Sequence, residues 1–332
     1  MSTVGTSFAQ KLLRVKFTLS NGATFPAGLP GDPPNQLTLT GLKTTAVINS
    51  AGFPAFPTCD IKIYGMAQSD MNTISALAFE VTGVSPNTVQ IDASSDGGVS
   101  FSTVHAGQIV FANIAYNPPE AYLQVSGQMG FFNQLNPATP TSYTESVAVA
   151  TVMSTIAAKM NLGFENNGVT TQTGRPVYYP GVLTEQLRDV AAHYGVDAYM
   201  ESSATGKPVV PGSKVNSLQT LAICPKGAPR GTPAFNLSPQ SGLVGYPTTD
   251  SRGYIRATAL YNPNFRFGGP LTISGSDVVI DLNLNTSKTL NSRANGSWMI
   301  GQMVHRLDAV KFDGAWFTDL LLYAPSQSPP QS

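Results

Sequence analysis

The chain has 332 residues, and its 19 Lys plus Arg balance 19 Asp plus Glu for a formal net charge of zero. Charged residues make up only 11% against 42% hydrophobic, which excludes a disordered chain and leaves material for about two to four packed domains. Without a basic excess there is no footprint for reading nucleic-acid sequence, and a free monomer of zero net charge is poorly protected against self-association, a weakness that an assembly subunit avoids by covering its surface.

Met1 to Gln10 has no basic segment followed by an apolar run, so no signal peptide is expected, and no window reaches the apolar length of a membrane span. Leu12 to Leu19 alternates as a strand, and Asn21-Gly22 after it reads as a hairpin turn. Gly28 to Pro34 is a proline-rich loop, and Asn35 to Asn49 reads as strand. Cys59 to Tyr64 alternates with Ile61 and Ile63 on one face and Asp60, Lys62 and Tyr64 on the other. Met71 to Leu77 reads as a short helical turn. Strands follow at Asn87 to Ala93, Ser100 to Thr103, Gly107 to Ala115 and Ala121 to Ser126. This pattern predicts a small antiparallel barrel or sandwich in a first domain, residues 1–127, and the barrel is the form expected.

The texture then changes. Val147, Val149, Val152, Met153, Ile156, Ala157 and Met160 recur at helical spacing, and Ser142 with Glu145 forms a candidate capping box before them. A second helix is expected up to Tyr194, with Leu183, Leu187, Val190, Ala191 and Tyr194 on one face and Gly195 as its cap. Val196 to Met200 reads as a returning strand, giving an α/β domain over 128–205. Residues 206–243 are proline-rich and read as an irregular linking segment with short strands at Pro208 to Val210 and Leu218 to Ile223. Glycine- and proline-punctuated strands resume over 244–324, a second predicted barrel, before the polar tail 325–332. The fold class expected is mainly β: two small antiparallel barrels separated by a helix-containing α/β insert.

Reaction chemistry is missing from the pattern. His105, His193 and His305 stand far apart and read as structural, and Cys59 and Cys224 read as small buried apolar residues. No nucleophile elbow and no phosphate-binding loop occur, so no catalytic residue, metal site or cofactor is expected. Arg252, Arg256 and Arg266 are spaced so that, on one face of a β domain, they line a channel or an inter-subunit contact. Trp298, His305 and Trp316 are the expected core of the second barrel. The rival reading, a glycan-degrading or carbohydrate-binding β protein, requires paired carboxylates in a cleft or both tryptophans exposed for stacking on sugar.

The order of parts, with the helix end Ala191-Ala-His-Tyr-Gly-Val-Asp-Ala-Tyr-Met-Glu, the boundary Leu243-Val-Gly-Tyr-Pro, the run Leu260-Tyr-Asn-Pro-Asn-Phe-Arg-Phe-Gly-Gly-Pro-Leu-Thr-Ile and the ending Trp298 to Asp308 with Gly314-Ala-Trp-Phe-Thr, resembles the baseplate hub proteins of contractile-tailed bacteriophages, the late control D-like group. The resemblance implies a non-enzymatic virion protein of the tail baseplate, assembled in the host cytoplasm. It implies a homotrimer in which two barrels per subunit make a pseudo-sixfold ring. The implied partners are a central spike protein, a tail-tube or tube-initiator protein and baseplate wedge proteins, with DNA passing through the bore without sequence-specific binding and no membrane insertion.

Overall fold

The computed structural model describes residues 9–20, 22–26, 30–52, 55–77, 87–118, 120–202, 216–231, 233–276, 278–283, 286–290, 293–311 and 313–325. The opening part holds β1 (Leu12–Thr18), β2 (Gln36–Thr40), β3 (Thr44–Ala51), β4 (Thr58–Tyr64), helix α1 (Gln68–Leu77), β5 (Thr88–Ser94), β6 (Ser102–Asn117) and β7 (Glu120–Gln128). The middle holds α2 (Phe131–Leu135), β8 (Thr141–Tyr143), α3 (Val149–Lys159), β9 (Leu162–Asn166), β10 (Val177–Tyr179), α4 (Leu183–Tyr194), β11 (Val196–Ser202) and β12 (Asn216–Pro225). The closing part holds β13 (Phe235–Leu237), β14 (Leu243–Thr249), β15 (Ile255–Leu260), β16 (Pro270–Ile273), β17 (Val278–Asn283), β18 (Thr286–Leu290), β19 (Gly296–Ala309) and β20 (Trp316–Tyr323).

The protein is mainly β, and one large sheet dominates it, in the order β14-β15-β20-β19-β3-β4-β7-β6-β5-β1-β2. Its strands pair antiparallel along that order, and β3 meets β19 from Thr44 opposite Ala309 to Ala51 opposite Gln302. Opening and closing parts are therefore not separate sheets; a seam of backbone hydrogen bonds joins them. Period-two alternation drives each strand: β1 buries Leu13, Val15 and Phe17 and turns the residues between them outward. Each such fully buried side chain contributes about 1.5–3 kcal/mol of transfer free energy.

Several local expectations change. Asn21 lies outside the described residues, and β1 reaches its partner β2 only after a long connection, because Asp32 and Pro33 hold that loop against Thr38 and Gln36 instead of a two-residue turn. The strand expected over Asn35 to Asn49 breaks at Gly41–Lys43 into β2 and β3. The stretches expected at Ser100 to Thr103 and Gly107 to Ala115 are one strand, β6, which crosses two register shifts and so bends from β5 to β7. Ser142 caps nothing, since it lies in β8; α3 begins behind Ala148, and the Val149 N–H is satisfied across the fold by the Thr171 carbonyl at 2.9 Å. The expected strand at Pro208 to Val210 and the tail beyond residue 325 lie outside the described residues.

The middle part explains the rest of the packing. Helix α4 ends on Gly195, whose left-handed φ of 60° lets its N–H return to the Ala191 carbonyl. Strand β12 pairs antiparallel with β11 and parallel with β9. It falls within the stretch read as irregular linker, so its chain positions belong to the α/β sheet. One face of β11 and β12 (Ala198, Met200, Leu221, Ile223) packs with Val152, Met153, Ile156, Leu187 and Val190 of α3 and α4. The opposite face (Tyr199, Ala222, Cys224) packs into the core of the closing part with Ile255, Ala257, Phe267 and Leu320. That double burial is why these strands read as apolar runs without alternation.

Candidate assembly surface

The cross-strand register aligns one outward row over six strands: Thr258, Asp319, Val304, Asn49, Thr58 and Gln128, on β15, β20, β19, β3, β4 and β7. A second row, Leu260, Phe317, Arg306, Val47, Asp60 and Ser126, runs beside it. All twelve are exposed or half-buried, whereas the intervening row of Ala259, Thr318, His305, Ile48, Cys59 and Gly127 is buried. One continuous face therefore crosses the seam and draws on strands from both ends of the sequence.

Charge on this face is nearly self-cancelling. Arg306 Nη2 lies 2.9 Å from Asp319 Oδ2, and Thr258 Oγ1 donates to Asp319 Oδ1 at 2.9 Å. Ser126 Oγ donates to Asp60. Toward one rim Tyr64 and Tyr122 stand 5.1 Å apart, with Lys43 Nζ 4.3 Å from the Tyr64 centroid and Lys62 Nζ 5.5 Å from that of Tyr122. Exposed pairs of this kind contribute roughly 0–1 kcal/mol each. They leave a surface of mixed sign.

The six residues singled out from sequence separate. Arg256, exposed on β15, lies on this face. Arg252 sits in the exposed turn between β14 and β15, its N–H donating to Asp250 Oδ1 at 2.9 Å. Arg266 is half-buried off the sheet and pairs with Glu201 at 3.4 Å, so the three arginines do not share a face; the loop after β15 turns Arg266 inward. Trp298 is half-buried against the closing part's core and donates from Nε1 to the Ala294 carbonyl at 2.7 Å. His305 is buried, its Nδ1 2.9 Å from Thr318 Oγ1 and its ring edge-on to Tyr261. Trp316 departs from expectation: with Leu307, Ala309 and Tyr261 it belongs to the opening part's core, and its Nε1 donates to Ser95 Oγ at 2.9 Å. The β3–β19 seam carries the ends of β19 and β20 over that core.

A polar junction of the three parts gave no local sequence signal. Arg230, 2% exposed, hydrogen-bonds both oxygens of Glu165 on β9, while its Nη1 stands 2.8 Å from Glu201 Oε1 as an ion pair outside directed hydrogen-bonding geometry. Beside it a cavity of about 30 Å³, lined by Ser50, Glu201, Ser202, Arg266 and His305 among others, has room for about one water molecule. Ser202 Oγ accepts from the Ala106 N–H at 2.7 Å and Gln219 Nε2 donates to the Ala106 carbonyl at 2.7 Å, tying β6 to β11 and β12. Among the described residues no group of three or more His, Cys, Asp or Glu side chains converges.

Burial pushes both His105 and His305 down to about 4 from 6.5, and both His105 ring nitrogens lack a hydrogen-bond partner among the described residues. The folded state then binds fewer protons than the unfolded state between those values. Stability is full above about pH 6.5 and is lost as pH falls toward 4, on the order of 3 kcal/mol per histidine. Urea unfolding across that window should show the decline, and His305→Gln should make it shallower. A flat profile would contradict the assignment.

The sequence matches no family model and no curated protein. Solved structures do match. The 43 kDa tail protein of prophage MuSo2 from Shewanella oneidensis aligns over 96% of this chain and 97% of its own, at TM-score 0.55 and 10% identity. The tail protein from Neisseria meningitidis MC58 aligns over 93% and 96%, at 0.54 and 12% identity. The E. coli c3393 protein, described as a type VI secretion component structurally similar to the T4 bacteriophage tail proteins gp27 and gp5, aligns over 87% and 76%, at 0.54 and 10% identity. The chain thus shares its fold, nearly end to end, with phage tail proteins and with a type VI secretion component.

Proposed function

We propose that this chain is a structural subunit of a phage tail baseplate, a hub in which three copies close into a ring between the tail tube and the central spike. The observation that carries the reading is the single continuous outward face, mostly polar, that spans strands from both ends of the sequence. In that reading the opening and closing parts are two barrel-like modules placed side by side, so three copies present six modules around a bore. Closure also occupies sheet edges that would otherwise template aggregation. The mixed-sign face lines the bore and lets DNA pass without sequence-specific binding. The role is non-enzymatic, and its place is the virion tail. Tube or tube-initiator, spike and wedge proteins are the partners of this reading.

The carbohydrate-binding alternative draws no support from the tryptophans: Trp316 is buried and the Trp298 indole N–H is already bonded within the fold. Sedimentation equilibrium of the full chain should give a particle of about 105 kDa from three 35.0 kDa chains, with a central hole in negative-stain images. A monomer at all concentrations, or a particle of another order, would oppose the ring.

A further inference from the structure

The outward face runs through eight strands, from β14 by way of β15, β20, β19, β3, β4 and β7 to β6. It ends on each side at a strand edge. β14 pairs only with β15 among the described residues. β6 has partners on both sides only as far as Gln108, opposite Thr88 at the start of β5; from Phe111 to Asn117 it pairs with β7 alone among the described residues. Helix α1 packs under this half of β6, where Met71 and Ile74 share the core with Ala112.

Strand direction decides how two such edges can meet. Each of the seven neighbouring pairs in the run is antiparallel, so β14 and β6 point in opposite directions. Rotation about a ring axis keeps the sense of every strand along that axis. β14 of one copy therefore meets β6 of the next antiparallel, and the ladder crosses the boundary without changing type. An odd number of strands would have brought the edges together parallel. The side chains agree. Neither Leu243–Thr249 nor Phe111–Asn117 carries a charge to repel an added strand. Large apolar side chains stand exposed on both: Val244 and Tyr246 (65%) on β14, Phe111 and Tyr116 (75%) on β6. Gly245, at φ 68°, and Pro247, which has no N–H, break the regularity of β14 and so restrict the strands it accepts.

We infer that β14 of one copy pairs antiparallel with the Phe111–Asn117 half of β6 of the next, joining the outward faces into one closed sheet. This rests on the proposed ring and names the two edges that close it.

The test is a full-length chain carrying Thr248→Cys on β14 together with Phe111→Cys, Asn113→Cys or Ala115→Cys on β6. Thr248 and all three β6 positions belong to the outward face, and the three together sample the register. Mild oxidation should link two and three chains in at least one of these double variants and none in any single variant. Val244→Lys with Tyr246→Lys, which places charge on the β14 edge, should weaken self-association at least about tenfold by sedimentation. Tyr178→Lys, at an equally exposed side chain on β10, should leave it unchanged. Absence of inter-chain links in all three double variants overturns the proposal, as does self-association indifferent to the two lysines. Either result, with an oligomer still present, removes this contact and leaves the ring standing, whereas a permanent monomer removes both.

Discussion

Arg230→Ala is expected to destabilise the protein by about 3–5 kcal/mol, measured as a lower urea midpoint at unchanged m. The guanidinium is 2% exposed, and its removal leaves Glu201, whose side chain is 7% exposed, with Arg266 at 3.4 Å as its one ion-pair partner among the described residues. A buried carboxylate without its principal cation has lost its solvation and regained little. Exposure decides the magnitude: the equally ionic Lys43–Glu120 pair stands at 45% and 55% exposure, and Lys43→Ala should cost under about 1 kcal/mol. Equal losses from the two substitutions would refute the argument. Since burial of charge is itself costly, Arg230→Met combined with Glu201→Gln should recover much of the loss. The effect also depends on pH. Hydrogen bonds from Arg230, ahead of every other cause, hold the Glu165 carboxyl below its ordinary range. That contribution is present above the unfolded carboxylate value and disappears as pH falls through the folded one. The gap between wild type and Arg230→Ala should therefore narrow in acid.

What the sequence made legible was local. Alternation in Cys59 to Tyr64 assigns Ile61 and Ile63 inward and Asp60 and Lys62 outward, and the strand does so. The same two-residue period in Trp298 to Asp308 and Trp316 to Tyr323 also marks Arg306 and Asp319 as outward residues, which the spacing of arginines alone does not. Helix α4 was legible to its capping glycine because both its apolar stripe and its stop lie within one segment. Partnership between distant strands was not. Nothing in Thr44–Ala51 names Gln302–Ala309 as its neighbour, because any regular strand edge offers the same backbone groups. The error over Trp316 follows from that gap: its place in the chain puts it in the closing part, and the seam puts it in the opening part's core. The junction around Arg230 hides for a related reason. Its members come from β9, β11 and two loops, and a charged residue in a proline-rich stretch reads as surface until the fold encloses it.

Trp316→Ala is the second large effect, about 3–5 kcal/mol of destabilisation from the vacated volume, with the Nε1 bond to Ser95 lost as well. Its more telling consequence concerns cooperativity. Tyr261, Leu307, Ala309 and Trp316 of the closing part pack among Leu13, Val15, Phe17 and Ile91 of the opening part, and Tyr199, Ala222 and Cys224 of the middle part pack into the closing part's core. No part can unfold without opening a core that another part helps to fill. Calorimetry of the wild type should therefore show one transition, with van't Hoff and calorimetric enthalpies in agreement. Removal of the indole cuts a shared contact, so in Trp316→Ala the opening part should begin to melt below the remainder and broaden the transition. Val99→Ala, at a side chain 88% exposed, should move the midpoint by no more than about 0.5 kcal/mol and leave the shape intact. Two resolved transitions in the wild type would mean that the seam joins independent domains. A single transition that splits only on loss of Trp316 would locate the coupling in the side chains that cross the seam, since the β3–β19 backbone pairing is present in both proteins.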